Sequence, residues 1–216
     1  MSSVRPVIDA GPALNFLAIN QARLLLSVLG QISTPETVES EVLRKSGTDP
    51  RFEGVQLVWS KLTPRWIEVL CDDVTVELDA VCQRIGQTGL AERKKQAKDL
   101  GELLVVAHAV VAAEQGLDVT VVIDDQSGAA IAASEAQRLD RHRAQGRLVG
   151  RITLVNTLGI LTGAAGGRYL PDRATMKKIY ARLRECDDGL PPITQTKLLS
   201  AHVWNRDAAV VTGART

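Results

Sequence analysis

The chain has 216 residues and a net charge of +1, with 45% hydrophobic and 24% charged residues. This composition excludes a disordered or fibrous protein, and the length suits one domain with at most an appendage. Only 3% of the residues are aromatic, which is too few for a protein that binds nucleic acid mainly by stacking bases on rings.

The sequence contains no stretch that predicts a membrane span. Its longest apolar run, residues 103–113, is interrupted by His108 and is much shorter than the roughly 18 to 20 residues that cross a bilayer. Residues 7 and 8 run directly into Asp9, so the apolar centre of a signal peptide is absent. The three cysteines lack the C-x-x-C spacing of zinc or redox sites. We therefore expect a protein of the reducing cytoplasm with buried thiols.

Short runs of β-forming residues alternate with helix-length segments along the chain. Five such runs occupy residues 6–9, 31–34, 66–70, 119–124 and 152–155. Strands joined by helical crossovers predict a mainly parallel sheet covered by helices, with polar side chains collected where the strands end. The predicted fold class is therefore α/β.

Local patterns also predict two helix starts and a loop. Thr34 followed by Pro35 is typical of an N-cap with proline at the first helical position. Asp99, with Glu102 three positions later, is typical of a capping box. Residues 46–54 contain Gly, Asp and Pro and predict a surface loop.

Charge is distributed unevenly along the chain. Residues 138–184 contain eleven Lys and Arg against two Asp, a net charge of +9, so the remaining residues carry −8. A basic third on an acidic body is typical of a surface that binds a polyanion, because phosphates release counterions when cations bind them. The alternatives are a solvated surface helix and an acidic partner protein. The arginines that we expect to hold phosphates are Arg138, Arg141, Arg143 and Arg173.

Acidic side chains recur in four separate segments near the predicted ends of strands and starts of helices. Asp9 ends the first strand, Glu41 lies in a predicted helix, Glu102 begins a very apolar helix, and Asp124 and Asp125 follow the fourth strand. Taken singly, Asp9 is explained as a helix cap, Glu41 as a solvated acid, and Glu102 as an acid at the positive end of a helix dipole. The adjacent pair after a buried strand is harder to explain as surface polarity, and together the acids predict one cluster.

Carboxylates gathered in this way need a positive partner. Two like charges about 4 Å apart repel by roughly 4 kcal/mol at an effective dielectric of about 20. Oxygen ligands without Cys or His nearby favour Mg²⁺ or Mn²⁺ over zinc or copper. Such ions lower the pKa of a bound water and stabilise the entering and leaving oxygens at phosphorus. An acidic metal site with a basic flank therefore predicts phosphodiester hydrolysis.

Four motifs, in this order, resemble the PIN-domain nucleases and especially their toxin ribonucleases of the VapC type. They are VIDAGPALNFL (residues 7–17), TPETVESEVL (34–43), LGELLVVAHA (100–109) and VVIDDQSGAAIA (121–132). The run TLVNTLGILTGAAGG (153–167) is similar to the last strand and helix of one PIN subgroup. The likeness extends over about residues 6–165.

The resemblance implies a three-layer α/β/α PIN-like domain over residues 1–165 and a basic helical C-terminal extension, 166–216, packed on or next to it. It further implies an endoribonuclease that depends on Mg²⁺ or Mn²⁺ and leaves 5′-phosphate and 3′-hydroxyl ends on RNA. A toxin of this kind would form a homodimer and bind an antitoxin protein. The family's catalytic and metal-binding acids fall on Asp9, Glu41, Glu102 and Asp125, with Asp124 as an alternative ligand beside Asp125.

Several features depart from the compact toxins. Gly11 stands where a small hydroxyl residue is frequent, and Glu102 stands where Asp is common. Residues 46–66 and the tail after residue 165 are longer than in those toxins. Two alternatives stay open: a PIN-like module that binds RNA or protein with little catalysis, and a nuclease that acts on DNA.

Overall fold

The computed structural model describes residues 4–96 and 98–204, which form five strands and eleven α-helices. Residues 205–216 of the predicted extension lie outside this described part. The strands are β1 (Val7–Ile8), β2 (Ile32–Pro35), β3 (Ile67–Leu70), β4 (Val119–Val122) and β5 (Ile152–Val155). The helices are α1 (Ala10–Ala18), α2 (Ala22–Leu29), α3 (Glu36–Thr48), α4 (Val55–Leu62), α5 (Val76–Gly86), α6 (Leu90–Arg93), α7 (Leu100–Glu114), α8 (Gln126–Ala144), α9 (Thr157–Ala164), α10 (Arg173–Cys186) and α11 (Ala201–Trp204).

The five strands form one sheet in the order β3-β2-β1-β4-β5, and every neighbouring pair is parallel. The predicted α/β class with a parallel sheet is confirmed, and the flanking helices fit a three-layer α/β/α arrangement. The chain runs from β1 to β2 and β3 on one side of β1, and then crosses to β4 and β5 on its other side. The loops that follow β1 and β4 therefore diverge. Such a reversal opens a crevice at the carboxyl ends of the two strands.

Helix α7 is the central helix of the core. It is apolar nearly all round, and ten of its fifteen residues are buried, as expected of a helix covered on all sides. It packs against β1, β2, β4 and β5 as well as α3. A Cβ at Gly101 would lie 3.3 Å from both Val38 Cγ2 and Glu41 Oε2. The missing side chain therefore lets the first turn of α7 approach α3 closely.

Helix α10 belongs to the same core as the sheet. Its buried face, which includes Met176, Ile179, Tyr180 and Leu183, joins the same core cluster, and the helix packs on α1. The Tyr180 hydroxyl donates a hydrogen bond to the carbonyl oxygen of Pro191 at 2.7 Å. This bond fixes the course of the chain after α10, where residues 187–191 approach the carboxyl edge of the sheet.

Both predicted helix caps are wrong in their side-chain contacts. Helix α3 begins at Glu36 with Pro35 at the capping position, and the Thr34 hydroxyl instead donates to the carbonyl oxygen of Ile8 at 3.0 Å. Asp99 precedes α7 with a left-handed φ of 56° and makes no side-chain capping bond. A capping side chain needs extended backbone to reach the first free N–H groups, so this conformation defeats the capping box.

The predicted loop at 46–54 is also wrong. Helix α3 continues to Thr48, and a 3-10 turn at Pro50–Phe52 buries Phe52 in the core. Cys82 and Cys186 are buried as expected, whereas Cys71 is exposed.

Among the helices formed by residues 4–96 and 98–204, none has the length and apolar character that a membrane-spanning helix needs.

Strand β4 and helix α9 are joined by the side chain of Asp124. Its Oδ1 accepts the N–H of Thr157 at 2.7 Å, and its Oδ2 accepts the Thr157 hydroxyl at 2.6 Å. Thr157 is completely buried. Burial raises the pKa of Asp124, while these two bonds act in the opposite direction.

We expect Thr157→Val to destabilise the fold by about 1–3 kcal/mol, because the isosteric side chain leaves a largely buried carboxylate oxygen without its donor. Urea unfolding measures the loss. Thr153→Val is the matched control, since Thr153 is exposed on β5, and it should change the free energy of unfolding by less than about 0.5 kcal/mol. Equal free energies of unfolding for the two variants would show that the hydrogen bonds between Asp124 and Thr157 do not stabilise the fold.

Candidate functional site

A cavity of about 450 Å³ opens where the carboxyl ends of β1 and β4 diverge. All five acids predicted from the sequence line this cavity, together with a sixth carboxylate and one lysine. They are Asp9, Glu41, Glu102, Asp124, Asp125, Asp187 and Lys45. The structure therefore brings these side chains from five separate segments to one concave surface.

Asp9 is the most deeply buried of these acids, with 7% of its surface exposed. It follows β1 directly, and its N–H donates to the carbonyl oxygen of Val122 at 2.9 Å, so the backbone of β4 fixes its position. Burial is the main cause that raises the pKa of Asp9 to about 6, and the charge of Glu41 adds to the rise. The N–H groups of Ala10 and Gly11 oppose it.

Glu102 lies in the first turn of α7, opposite Asp9. Burial raises its pKa to about 7, and the negative charges of Asp125, Asp9, Asp99 and Glu41 raise it further in that order. The pKa values of Asp9 and Glu102 are thus both raised, mainly because burial disfavours the charged carboxylate and secondarily because other acids lie nearby.

The adjacent pair after β4 is divided between two tasks. Both oxygens of Asp124 are bound to Thr157, as described above. Asp125 caps α8 by accepting the N–H of Gly128 at 2.9 Å, and this bond is the main cause that lowers its pKa. Asp125 is exposed and is thus a charged group that faces the cavity. Asp124 is fully engaged by Thr157, and Asp125 is the acid that the sequence analysis prefers as a metal ligand. The ligand roles of both residues stay predictions.

Glu41 and Lys45 form an ion pair inside the cavity. The two residues are one turn apart on α3, and Lys45 Nζ lies 2.7 Å from Glu41 Oε1. Lys45 was not predicted as a site residue. The i, i+4 spacing of an acid and a lysine on one helix is the signal that points to it.

Asp187 was also missed by the sequence analysis. It follows α10, and its Oδ2 accepts a hydrogen bond from Nδ2 of the buried Asn15 at 2.9 Å. The sequence DDGLPP indicates only a turn at this place. The contact between α10 and α1 brings it to the cavity, and no local pattern encodes that contact.

In the described part of the chain, no three Asp, Glu, His or Cys side chains are already grouped closely enough to hold a metal ion. The reason is visible in the bonds above. Asp124 is engaged by Thr157, and Glu41 is engaged by Lys45. Cation binding here requires side-chain rotation, and the predicted Mg²⁺ or Mn²⁺ site stays a prediction.

The predicted phosphate-binding arginines do not line the cavity. Arg138, Arg141 and Arg143 lie in the second half of α8, whose first turn is capped by Asp125. At 1.5 Å per residue, Arg138 is about 20 Å along the helix from Asp125. Arg173 begins α10, where its Nε donates to the carbonyl oxygen of Leu199 at 3.1 Å.

Two of these arginines are neutralised by ion pairs. Arg138 Nε lies 2.8 Å from Oε2 of the buried Glu135, and its guanidinium also contacts Glu114. Arg84 joins the same network through Glu135 at 3.0 Å. Arg143 pairs with Asp140. The network of Arg84, Glu114, Glu135 and Arg138 ties α5, α7 and α8 together, so the charge of Arg138 stabilises helix packing.

Comparison with protein-family models, with curated protein sequences and with solved structures gives no match for this chain. The likeness to PIN-domain nucleases therefore rests on the motifs quoted above and stays a prediction.

We expect the metal-free protein to be destabilised by its cavity acids as the pH rises from about 4 to 7. The pKa values of Asp9 and Glu102, about 6 and about 7, exceed their ordinary values of 3.8 and 4.5. The folded state therefore holds protons that the unfolded state releases, and this contribution is present below pH 4 and lost above pH 7. Urea unfolding in EDTA at a series of pH values measures it.

Two substitutions should change this pH dependence in opposite directions. Glu102→Gln removes one of the two acids and should flatten it. Lys45→Met should make it steeper, because the charge of Lys45 lowers the pKa of Asp9. Glu77→Gln, an exposed acid at the start of α5, is the control that leaves the curve unchanged. Identical pH dependence in all four proteins would refute the proton uptake.

Proposed function

We propose that this protein is a divalent-metal-dependent nuclease that hydrolyses phosphodiester bonds in RNA. The observation that carries the proposal is the convergence of Asp9, Glu41, Glu102 and Asp125 on one cavity. Burial and mutual repulsion raise the pKa of two of them. A cavity with this charge gains stability from a hard cation, and its donors are all oxygens.

The donor set fits Mg²⁺ or Mn²⁺ better than zinc or copper, because neither Cys nor His lines the cavity in the described chain. Asp9, Glu41, Glu102 and Asp125 are the residues that would hold the ion. When bound, such an ion lowers the pKa of water and stabilises developing charge on phosphate oxygens.

The other polar residues of the cavity have separate tasks in this proposal. In this proposal the ion pair between Lys45 and Glu41 breaks, and the ammonium group of Lys45 then pairs with a phosphate of the RNA. Gln126 and Asn156 line the same cavity and present amide groups that can donate hydrogen bonds to the strand. Asp124 holds α9 in place through Thr157. The products implied by the resemblance are a 5′-phosphate and a 3′-hydroxyl.

The wider biological role rests on the PIN resemblance alone. It supports a toxin that forms a homodimer, is held by an antitoxin protein and acts on RNA in the cytoplasm. These parts of the proposal are separate from the chemistry of the cavity.

A second candidate function is an RNA-binding module without effective catalysis. The Lys45–Glu41 ion pair favours it, because a lysine already occupies one of the proposed ligands. The absence of a preassembled ligand group among the described residues acts in the same direction.

We expect the native chain to cleave single-stranded RNA in Mn²⁺ and to be inactive in EDTA. Asp9→Asn should lower the cleavage rate by about a hundredfold or more, because the ligand supports several kcal/mol of charge stabilisation. Gel analysis of an end-labelled oligonucleotide measures the rate. Asp73→Asn, an exposed aspartate outside the cavity, is the matched control and should retain full activity.

Metal binding is measured separately as the rise in melting temperature on adding Mn²⁺. RNA binding with neither a rise in melting temperature nor any cleavage would favour the binding module. Cleavage that persists in EDTA or in Asp9→Asn would defeat the nuclease proposal. Parallel reactions with RNA and DNA of the same sequence identify the polymer.

A further inference from the structure

A second cavity of about 400 Å³ adjoins the carboxylate cavity. Glu41 and Glu102 line both cavities, so the two cavities adjoin at these side chains. The walls of the second cavity come from α3 and from the chain that enters α7. Any strand that lies across the carboxylates meets this cavity next.

One wall of the second cavity is a single polar face of α3. Thr37, Ser40, Glu41 and Arg44 line it, and their spacing of three, four and seven residues places them on the same side of a helix. Arg44 follows Glu41 by three residues, which puts their Cβ atoms about 5–6 Å apart. A cation is thus held within one helical turn of a carboxylate of the candidate active site.

The opposite wall carries a second cation, Lys98, which lies just before α7. Both Arg44 and Lys98 are exposed, and in the described part of the chain neither side chain has an ion pair or hydrogen bond. This distinguishes them from Arg138 and Arg143, whose guanidinium groups are paired with acids. Asp99 also lines this cavity, besides Glu41 and Glu102, so Arg44 and Lys98 are the two groups in its lining whose charge attracts a phosphate.

We infer that this second cavity holds the backbone phosphates of single-stranded RNA beside the bond that is cut, with Arg44 and Lys98 as its phosphate-binding residues. The inference rests on the proposed function for the identity of the polymer. It moves the nucleic-acid contact from the arginine-rich C-terminal third to α3 and the start of α7. A flexible strand can place successive phosphates in two adjoining concave sites, which a rigid duplex does less readily.

The test measures RNA binding without metal and without cleavage. The background is Asp9→Asn in EDTA, and the probe is a short fluorescent single-stranded RNA whose anisotropy is followed at several salt concentrations. Arg44→Ala/Lys98→Ala should weaken binding by about tenfold or more. It should also reduce the slope of log K against log salt by about 1.4, since each lost phosphate contact contributes about 0.7 for a single strand.

The matched control is Arg141→Ala/Arg147→Ala, which removes the same charge. Both arginines are exposed and have no ion pair in the described chain, and they lie near the far end of α8. Binding and salt slope should stay within about twofold and about 0.3 of the parent. All four positions are exposed, and urea unfolding should confirm equal stability.

Three results would overturn the inference. The first is an unchanged salt slope in Arg44→Ala/Lys98→Ala. The second is a larger loss in the control pair, which would assign RNA binding to the C-terminal third. The third is tighter binding of polyglutamate than of RNA, lost in Arg44→Ala/Lys98→Ala, which would indicate an acidic protein partner. Because the assay contains neither metal nor a cleavage step, a failed nuclease assay leaves its result intact.

Discussion

Burial of carboxylates at the crevice between β1 and β4, together with their mutual repulsion, is the constraint on which the rest of this structure depends. Asp9 and Glu102 are held in a partly desolvated cavity with other acids, and the pKa of each is raised above its ordinary value. The protein has three means to balance this charge: proton uptake, the ammonium group of Lys45, and a cation from solution. The proposed function relies on the third, because a divalent cation contacts several carboxylates at once and favours their ionised form.

The fold supplies this cavity through its topology and through one helix. The reversal of the chain at β1 separates the loops that carry Asp9 and Asp125, and helix α7 brings Glu102 between them. Gly101 permits the close approach of α7 to α3, so Glu41 reaches the same space. The bond from Asn15 to Asp187 then adds the chain after α10 as a further wall.

The net positive charge of residues 138–184 does not place their predicted phosphate-binding arginines at the carboxylate cavity. Arg138 is paired with Glu135 and Glu114 and joins α8 to α7, and Arg143 is paired with Asp140 on its own helix, all outside the cavity lining. The cations near the carboxylates that have no partner among the described residues are Arg44, from a helix with more acids than bases, and Lys98, from a short basic run at residues 93–98. Counting charges along the chain cannot distinguish a paired arginine from a free one, because pairing depends on where the side chains lie in the folded protein.

The sequence by itself determined the α/β class, the approximate bounds of the five strands along the chain, and the acids that converge on one cavity. These follow from local periodicity and from the rule that parallel strands place their carboxyl ends at one edge. Tertiary structure decided that the side chains of Thr34 and Asp99 do not cap their helices, that the turn at Phe52 is packed, and that Lys45 and Asp187 lie in the cavity. Each of these depends on a contact or a backbone conformation set by distant segments, and no spacing along the chain records it.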